Sequence, residues 1–393
     1  MRKRLLFLSA RTHSQEDGEG WIRTRSILEM LLEKYDVDLL LYGNYHTADL
    51  PEAAGSLTVH QVKMTGPLRG KKLGSLYTPG RRFYPGNMSK EMKLAIAELC
   101  HMNSYSHAFL SYNLPGSYLD ILNRVQPGIT LIMDAFQPRT GRTYLKTGRK
   151  RIFIKPYDHL NAARLRKDMQ RTMNKTALLL AASEWDALSF KAVSFEDAGK
   201  VQVLPSFINL DKYEKAEPVG KVDGVVLHWN MSTPQGKRAA LLFQQNILPA
   251  VREKVPGSKF YITSNLLEPE ILESLKEEKN VFIAASAEEA IHYIRQSKVL
   301  FAPLLEGIEA RPEILESWAL KTPVVTTFRG SETLICEHKQ NILTAKTIEE
   351  IAQSIVTLLQ DQELGAIIAD RAFQTLLKHY EFTDIKQKVL SLV

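Results

Sequence analysis

Only two cysteines, Cys100 and Cys336, occur in 393 residues. They lie far apart and form no metal-ligand spacing, which excludes a disulfide scaffold and points to a reduced, cytoplasmic setting. Long apolar runs are also missing. The longest, Leu178–Ala182 and Val37–Tyr42 with Asp38 inside it, fall far below the ~18–20 residues that span a bilayer. The opening Met1-Arg2-Lys3-Arg4 and Leu5–Ala10 mimic a signal peptide only superficially. The apolar part is too short, and Arg11, His13 and Glu16 stand where a cleavage region belongs, so Leu5–Ser9 is expected as a buried first strand. No internal repeat, low-complexity tract or Walker A loop is present. Gly18-x-Gly20 is not completed to Gly-x-Gly-x-x-Gly, because Arg23 stands at the third glycine; this speaks against a nicotinamide dehydrogenase. The ten histidines include no helical i, i+4 pair with an acidic partner, so zinc hydrolysis has no support. Asp36-Val37-Asp38 spells a metal-binding Asp-x-Asp but opens an apolar strand, and no metal is expected.

What is present fits two α/β domains. The chain is too long for one ordinary core and suits two of ~150–200 residues. With 44% hydrophobic and 24% charged residues it has a globular composition. The net charge of +7 is uneven: residues 139–175 carry twelve basic against two acidic side chains. Such a segment favours anionic partners, a membrane leaflet or a phosphorylated acceptor, against the alternative of a merely solvated face. Tyr144, Phe153 and Tyr157 interleave it, but no nucleic-acid-binding motif does, so no nucleic acid is expected.

Apolar strands are expected at Leu5–Ser9, Val37–Tyr42, Leu57–Val62, Ala108–Ser111, Ile129–Met133, Ala177–Ala181 and Val201–Leu204, with helices between most of them, the first from about Trp21 to Lys34. Near-continuous apolar strands alternating with helices predict a doubly wound parallel sheet. A charge- and turn-rich stretch from Asp211 to Gly224 reads as a linker. A second series follows, with strands Val225–Trp229, Lys259–Thr263, Asn280–Ala284, Lys298–Ala302 and Pro323–Thr327. Its helices are Gln235–Lys254, Pro269–Glu277, Ala287–Gln296 and Pro312–Leu320, before a helical tail from Thr347. The domains are placed at 1–207 and 208–380, with 381–393 returning as a helix to the first.

Residues Phe301 to Val325 carry the richest chemistry: strand, loop, helix, turn, strand. Pro312 suits a first helical turn. The loop amides from Ile308 to Arg311 would meet an anion at the positive end of the helix dipole, with Arg311 adding a charge, which is a ready diphosphate site. It falls beyond the carboxyl end of a parallel strand, where such sheets bind ligands. Glu316, about one turn into the helix, can accept both hydroxyls of a ribose. Dipole complementation alone would also account for Glu313 and Glu316.

This run resembles the pattern of family 4 glycosyltransferases: Glu306-Gly307, then Leu315-Glu316-Ser-Trp-Ala-Leu-Lys-Thr-Pro323-Val-Val325. Further matches follow in order: Gly20-Trp-Ile-Arg23, Val201–Tyr213, Trp229-Asn230-Met231 with Ile247–Arg252 and Val255-Pro-Gly257, Gly330-Ser-Glu332, Asn341-Ile-Leu343, and His379–Phe382. The resemblance spans nearly the whole chain, weakly from Tyr45 to Ala108. It implies the GT-B fold, two Rossmann-like domains facing across a cleft, and a metal-independent, retaining hexosyl transfer from a UDP- or GDP-sugar.

Residue by residue, it implies that Glu316 holds the donor ribose and Glu306 the transferred sugar. Gly307, Ile308, Glu309, Ala310 and Arg311 would meet sugar and phosphate, Asn230 with Lys237 or Arg238 would neutralise the diphosphate, and the Gly20–Arg23 loop would approach it. Asp134, at a strand end in the first domain, matches a position facing the reaction centre; an Asp capping a turn is the other reading. The first domain would take a glycan, lipid-linked or wall-type acceptor, at the inner face of the plasma membrane if residues 139–175 dock there. No cofactor is implied. The sequence departs from the family at Glu309 and Lys321, where glycine is usual, near Glu313, where a basic residue is, and at Ser206-Phe207, where Asn-Gly is. A catalytically silent partner subunit and a nucleotide-sugar epimerase are the rival readings.

Overall fold

The four consecutive apolar residues Leu5 to Leu8 are all fully buried. Successive side chains of a strand point to opposite faces, so both faces of this strand must be covered, as in a parallel sheet flanked by helices. The computed structural model of the chain describes residues 2–9, 18–43, 50–51, 56–63, 89–111, 117–135, 156–214, 219–231, 233–264, 266–304 and 312–393. Among these, contacts divide the chain into two units, 1–205 with 386–393, and 206–385.

In the first unit, β1 (Lys3–Ser9), β2 (Tyr35–Tyr42), β3 (Leu57–Val62), β4 (His107–Leu110), β5 (Thr130–Ala135), β6 (Leu178–Ala181) and β7 (Val201–Val203) form one sheet. Its order is β3-β2-β1-β4-β5-β6-β7, and every pairing is parallel. The helix Gly18–Leu32 buries Ile27, Leu28 and Leu31 as its periodicity predicts. Residues 386–393 pack here: the Tyr35 hydroxyl donates to the Val393 carbonyl at 2.6 Å, and Lys388 donates to the Val203 carbonyl at 2.7 Å.

The second unit repeats the plan with β8 (Val222–Leu227), β9 (Lys259–Ile262), β10 (Val281–Ile283), β11 (Ser297–Ala302), β12 (Val324–Thr327) and β13 (Leu343–Ala345). The order is β10-β9-β8-β11-β12-β13, again all parallel. In both sheets the order reverses beside the first strand, between β1 and β4 and between β8 and β11. Phe243, Phe260 and Phe301 meet on one face, with ring centroids 5.9 and 6.3 Å apart.

Two expectations need correction. The helix expected over Gln235–Lys254 is a Pro234–Leu242 helix, a π turn at Phe243–Ile247 and a Leu248–Lys254 helix. Pro249 has no N–H and its ring would strike the Gln245 carbonyl in a regular helix. The chain widens just before it, and the Leu248 N–H donates to the Phe243 carbonyl instead. The stretch read as a linker begins with a short helix, Asp211–Glu214. Its Tyr213, with Ile208 before it, is buried in the core of the second unit, a pattern too short to show as a period.

Lys321, where the family has glycine, closes the Pro312–Ala319 helix at φ 52°. The Thr322 N–H donates to the Ser317 carbonyl at 2.9 Å and the Lys321 N–H to the Trp318 carbonyl at 3.1 Å, the two bonds of a left-handed helix cap. A side chain in this conformation costs ~1–2 kcal/mol. Contact of the Lys321 ammonium with the Phe373 ring, 4.5 Å from its centroid, offsets part of that. Lys321→Gly should be about 1 kcal/mol more stable than Lys321→Ala. Both lose the Phe373 contact, so the difference isolates the backbone; equal urea midpoints would show no strain there.

Candidate active site

The ends of β8 and β11 flank the point where the second sheet reverses, the place at which open parallel sheets bind ligands. His228 follows β8 directly, and its N–H donates to the Phe301 carbonyl at 3.3 Å. After β11, Thr326 and Thr327 fasten the departing chain, donating to the Ala302 carbonyl at 2.6 Å and the Leu304 carbonyl at 2.7 Å. Residues 305–311 follow, so Glu306, Gly307, Ile308, Glu309, Ala310 and Arg311 lie outside the described residues.

The helix Pro312–Ala319 then carries Glu316 back to this point. Its Oε2 lies 2.6 Å from His228 Nε2, and its Oε1 accepts from the Tyr213 hydroxyl at 3.1 Å. His228 Nδ1 lies 2.7 Å from Thr263 Oγ1. The Glu316 side chain keeps 33% of its surface exposed against 16% for His228, so it is the more accessible member of the pair. Burial pushes the Glu316 carboxyl up, but His228 and then Tyr213 outweigh it and hold it below the usual range. Burial likewise presses the His228 ring down, and Glu316 overrides that to raise it. Burial and Glu316 push the Tyr213 phenol up, so it stays a neutral donor.

Sequence reasoning found Glu316 but not its holders. Tyr213 fell in the supposed linker, and His228 carried no motif; its position just past the first strand of the second series was the one available signal. Glu313, a departure from the family, is buried.

The turn after β8 presents the other expected donor ligands. Thr233 caps the helix Pro234–Leu242, accepting from the Gly236 N–H at 3.0 Å, and donates to the Asn230 carbonyl at 2.9 Å. Helix and turn touch so closely that a Cβ on Gly236 would lie 2.2 Å from the Asn230 oxygen. Asn230 is half-buried and Arg238 exposed. Lys237 forms an ion pair with Glu268.

In the first unit, Gly20 and Arg23 lie in the helix Gly18–Leu32, not in a loop. Asp134 lies within β5 rather than past its end, with no exposed surface. Arg23 grips it, Nη2 to Oδ1 at 2.9 Å and Nε to Oδ2 at 2.9 Å, and reaches the Pro205 carbonyl through Nη1 at 2.9 Å. The expected donor ligand and the expected catalytic carboxylate are thus one buried ion pair tying helix, sheet and domain exit together. A parallel strand buried on both faces cannot leave a carboxylate there uncompensated.

Two doubly wound parallel sheets, each reversing order beside its first strand and the second bearing an oriented carboxylate at that reversal, define the GT-B class. Solved structures agree in fold over the whole chain. Anabaena HepE in complex with UDP and glucose matches at a TM-score of 0.65 and 14% identity, covering 99% of each chain. A glycosyltransferase from Rickettsia africae matches at 0.65 and 13%, covering 100% of this chain and 97% of that one. A variant of S. aureus TarM in complex with fondaparinux, α-GlcNAc-glycerol and UDP matches at 0.64 and 12%, covering 99% of each. No curated protein sequence matches significantly. Residues 225–361 match the family model for glycosyl transferases group 1. That span includes β11 and the helix of Glu316, and the protein is a glycosyltransferase.

Removing one partner of a buried pair leaves an uncompensated charge, so Arg23→Ala should cost about 3–5 kcal/mol of stability, read as a fall in the urea midpoint. A variant of unchanged stability would return Arg23 to the list of ligand-binding groups. Gly236→Ala must displace the Asn230 backbone and should cost ~1–3 kcal/mol, while an equally stable variant would show that helix and turn separate freely.

Proposed function

We propose that the protein transfers a hexosyl unit from a UDP- or GDP-sugar to a glycan, lipid-linked or cell-wall-type acceptor. The reading rests on one observation above the rest: an ionised carboxylate, Glu316, one-third exposed and held by His228 and Tyr213 at the reversal of the second sheet. Its free lone pairs suit the two hydroxyls of a ribose. HepE structures that hold UDP with glucose, or UDP-glucose, share the fold.

The donor diphosphate would follow the ribose toward the start of the helix Pro312–Ala319, where backbone amides favour an anion. Charge developing on the departing nucleotide would be met there by protein groups without a metal. Preorganised donors contribute roughly 3–4 kcal/mol each at best. We propose retention of configuration, on the family resemblance.

The first domain would hold the acceptor, with the basic helix Pro156–Lys175 favouring an anionic one or an anionic membrane surface. Not all of its charge is available. Arg171 pairs with Asp120 at 2.6 Å, Lys175 joins the same carboxylate, and Arg166 donates to the Ala192 carbonyl at 3.1 Å.

UDP-glucose, UDP, GDP-mannose and GDP are the ligands to screen by thermal shift. At 100 times its Kd a cognate ligand adds about 2.7 kcal/mol. Glu316→Ala should abolish that shift without unfolding the protein. A shift retained in the variant would remove Glu316 from the site; no shift with any nucleotide would remove the donor reading, and loss of turnover in EDTA the metal-free one.

A further inference from the structure

Glu316 is not a bare carboxylate waiting for a ligand, and the groups behind it constrain one another. On one side of the ring, Thr263 Oγ1 lies 2.7 Å from His228 Nδ1, and the same hydroxyl lies 3.4 Å from the Leu227 carbonyl. On the other side of the ring, Nε2 faces an ionised carboxylate oxygen at 2.6 Å. A hydroxyl can accept from Nδ1–H while donating to the Leu227 carbonyl, and the carboxylate accepts from Nε2–H, so the two neighbours accommodate an imidazolium, which carries an N–H on each ring nitrogen. We infer that His228 is a positioning residue, a doubly anchored imidazolium that pins the Glu316 carboxylate in its ribose-binding orientation and makes capture of a nucleotide-sugar donor depend on the charge of this ring.

The inference rests on the donor-site reading above and adds the device that operates it. His228 contributes one lock on Oε2 and Tyr213 the other on Oε1. Two donors fix the carboxylate plane, and a bond between charged partners holds more strongly than a neutral one. Each carboxylate oxygen has one anchoring donor and keeps lone-pair capacity for a further one. Glu316 then meets a vicinal diol already oriented, and the entropy of ordering it is not lost at binding.

The charged and titratable groups around the ring reinforce this. Glu316 and Glu313, from one helix, both favour the imidazolium. Lys212, beside Tyr213, acts on Glu316 and favours its ionised form. Thr263, at the end of β9, carries no charge. The histidine is therefore raised and the carboxyl lowered, which widens the pH range over which the pair is intact. A raised histidine keeps its contribution below the ordinary value and loses it as pH rises through the folded-state value. Donor binding accordingly weakens toward alkaline pH, while Glu316 stays ionised throughout.

The test uses the full-length protein with UDP-glucose and GDP-mannose, whose diphosphate diesters do not titrate between about pH 6 and 9. For whichever binds, the Kd of the native protein should rise about tenfold from the acid to the alkaline end, as one charge-assisted bond is lost. His228→Ala should bind about tenfold more weakly at the acid end and show no pH dependence. His228→Gln keeps an N–H donor but cannot titrate, so it should recover most of the affinity and stay flat with pH. A merely structural role would not give that pattern. Ring-nitrogen NMR of the ligand-free protein should show both His228 nitrogens protonated at neutral pH, and Glu316→Gln should lower the midpoint. Binding that is independent of pH in the native protein, unaltered affinity in His228→Ala, or a ring titrating at or below the ordinary histidine value would overturn the inference with the donor site left standing. Failure of both nucleotide sugars to bind would overturn the donor reading, and this inference with it.

Discussion

Burial on both faces is the constraint from which the rest of this molecule follows. A strand in the middle of a parallel sheet has no wet side, so Leu5 to Leu8 and Leu39 to Leu41 are fully buried whichever way they point. Polar chemistry is then confined to strand ends and the turns beyond them, and a polar group caught inside must bring its own partner. Asp38 shows the rule in the first sheet. It is 3% exposed and bonded to His60 at 3.0 Å and to the Tyr105 hydroxyl at 2.8 Å. Asp134 with Arg23 shows it more forcefully, a full ion pair inside the fold.

The same constraint explains why the candidate site is where it is. In an open parallel sheet, connections leave in opposite directions where the strand order reverses, and ligands bind at that point beyond the strand ends. His228 stands at that point and the Glu316 helix reaches it. The site is assembled from the ends of β8 and β9, the helix after β11 and the short helix at Tyr213, four segments far apart in sequence. None could hold a carboxylate in place alone.

Departures from the family pattern divide by their surroundings. Lys321 fills a left-handed helix cap, an architectural position with no part in chemistry, and pays for its side chain partly through Phe373. Glu313 is buried and acts on the His228 ring rather than standing in the open toward a diphosphate. Both changes are thus compatible with a working donor site.

From the order of residues alone came the alternation of strands and helices, the two-domain plan, the resemblance, and Glu316 as the carboxylate to watch. Each of these is written in local periodicity or in short motifs, which need no knowledge of distant neighbours. Tertiary structure alone decided what that carboxylate touches, that Arg23 and Asp134 belong to each other, that Lys237 is engaged by Glu268, and that Tyr213 is core rather than linker. Ion pairs and hydrogen bonds between residues up to 358 positions apart leave no period in a sequence. They exist only once the backbone has brought two strand ends and a helix to one place.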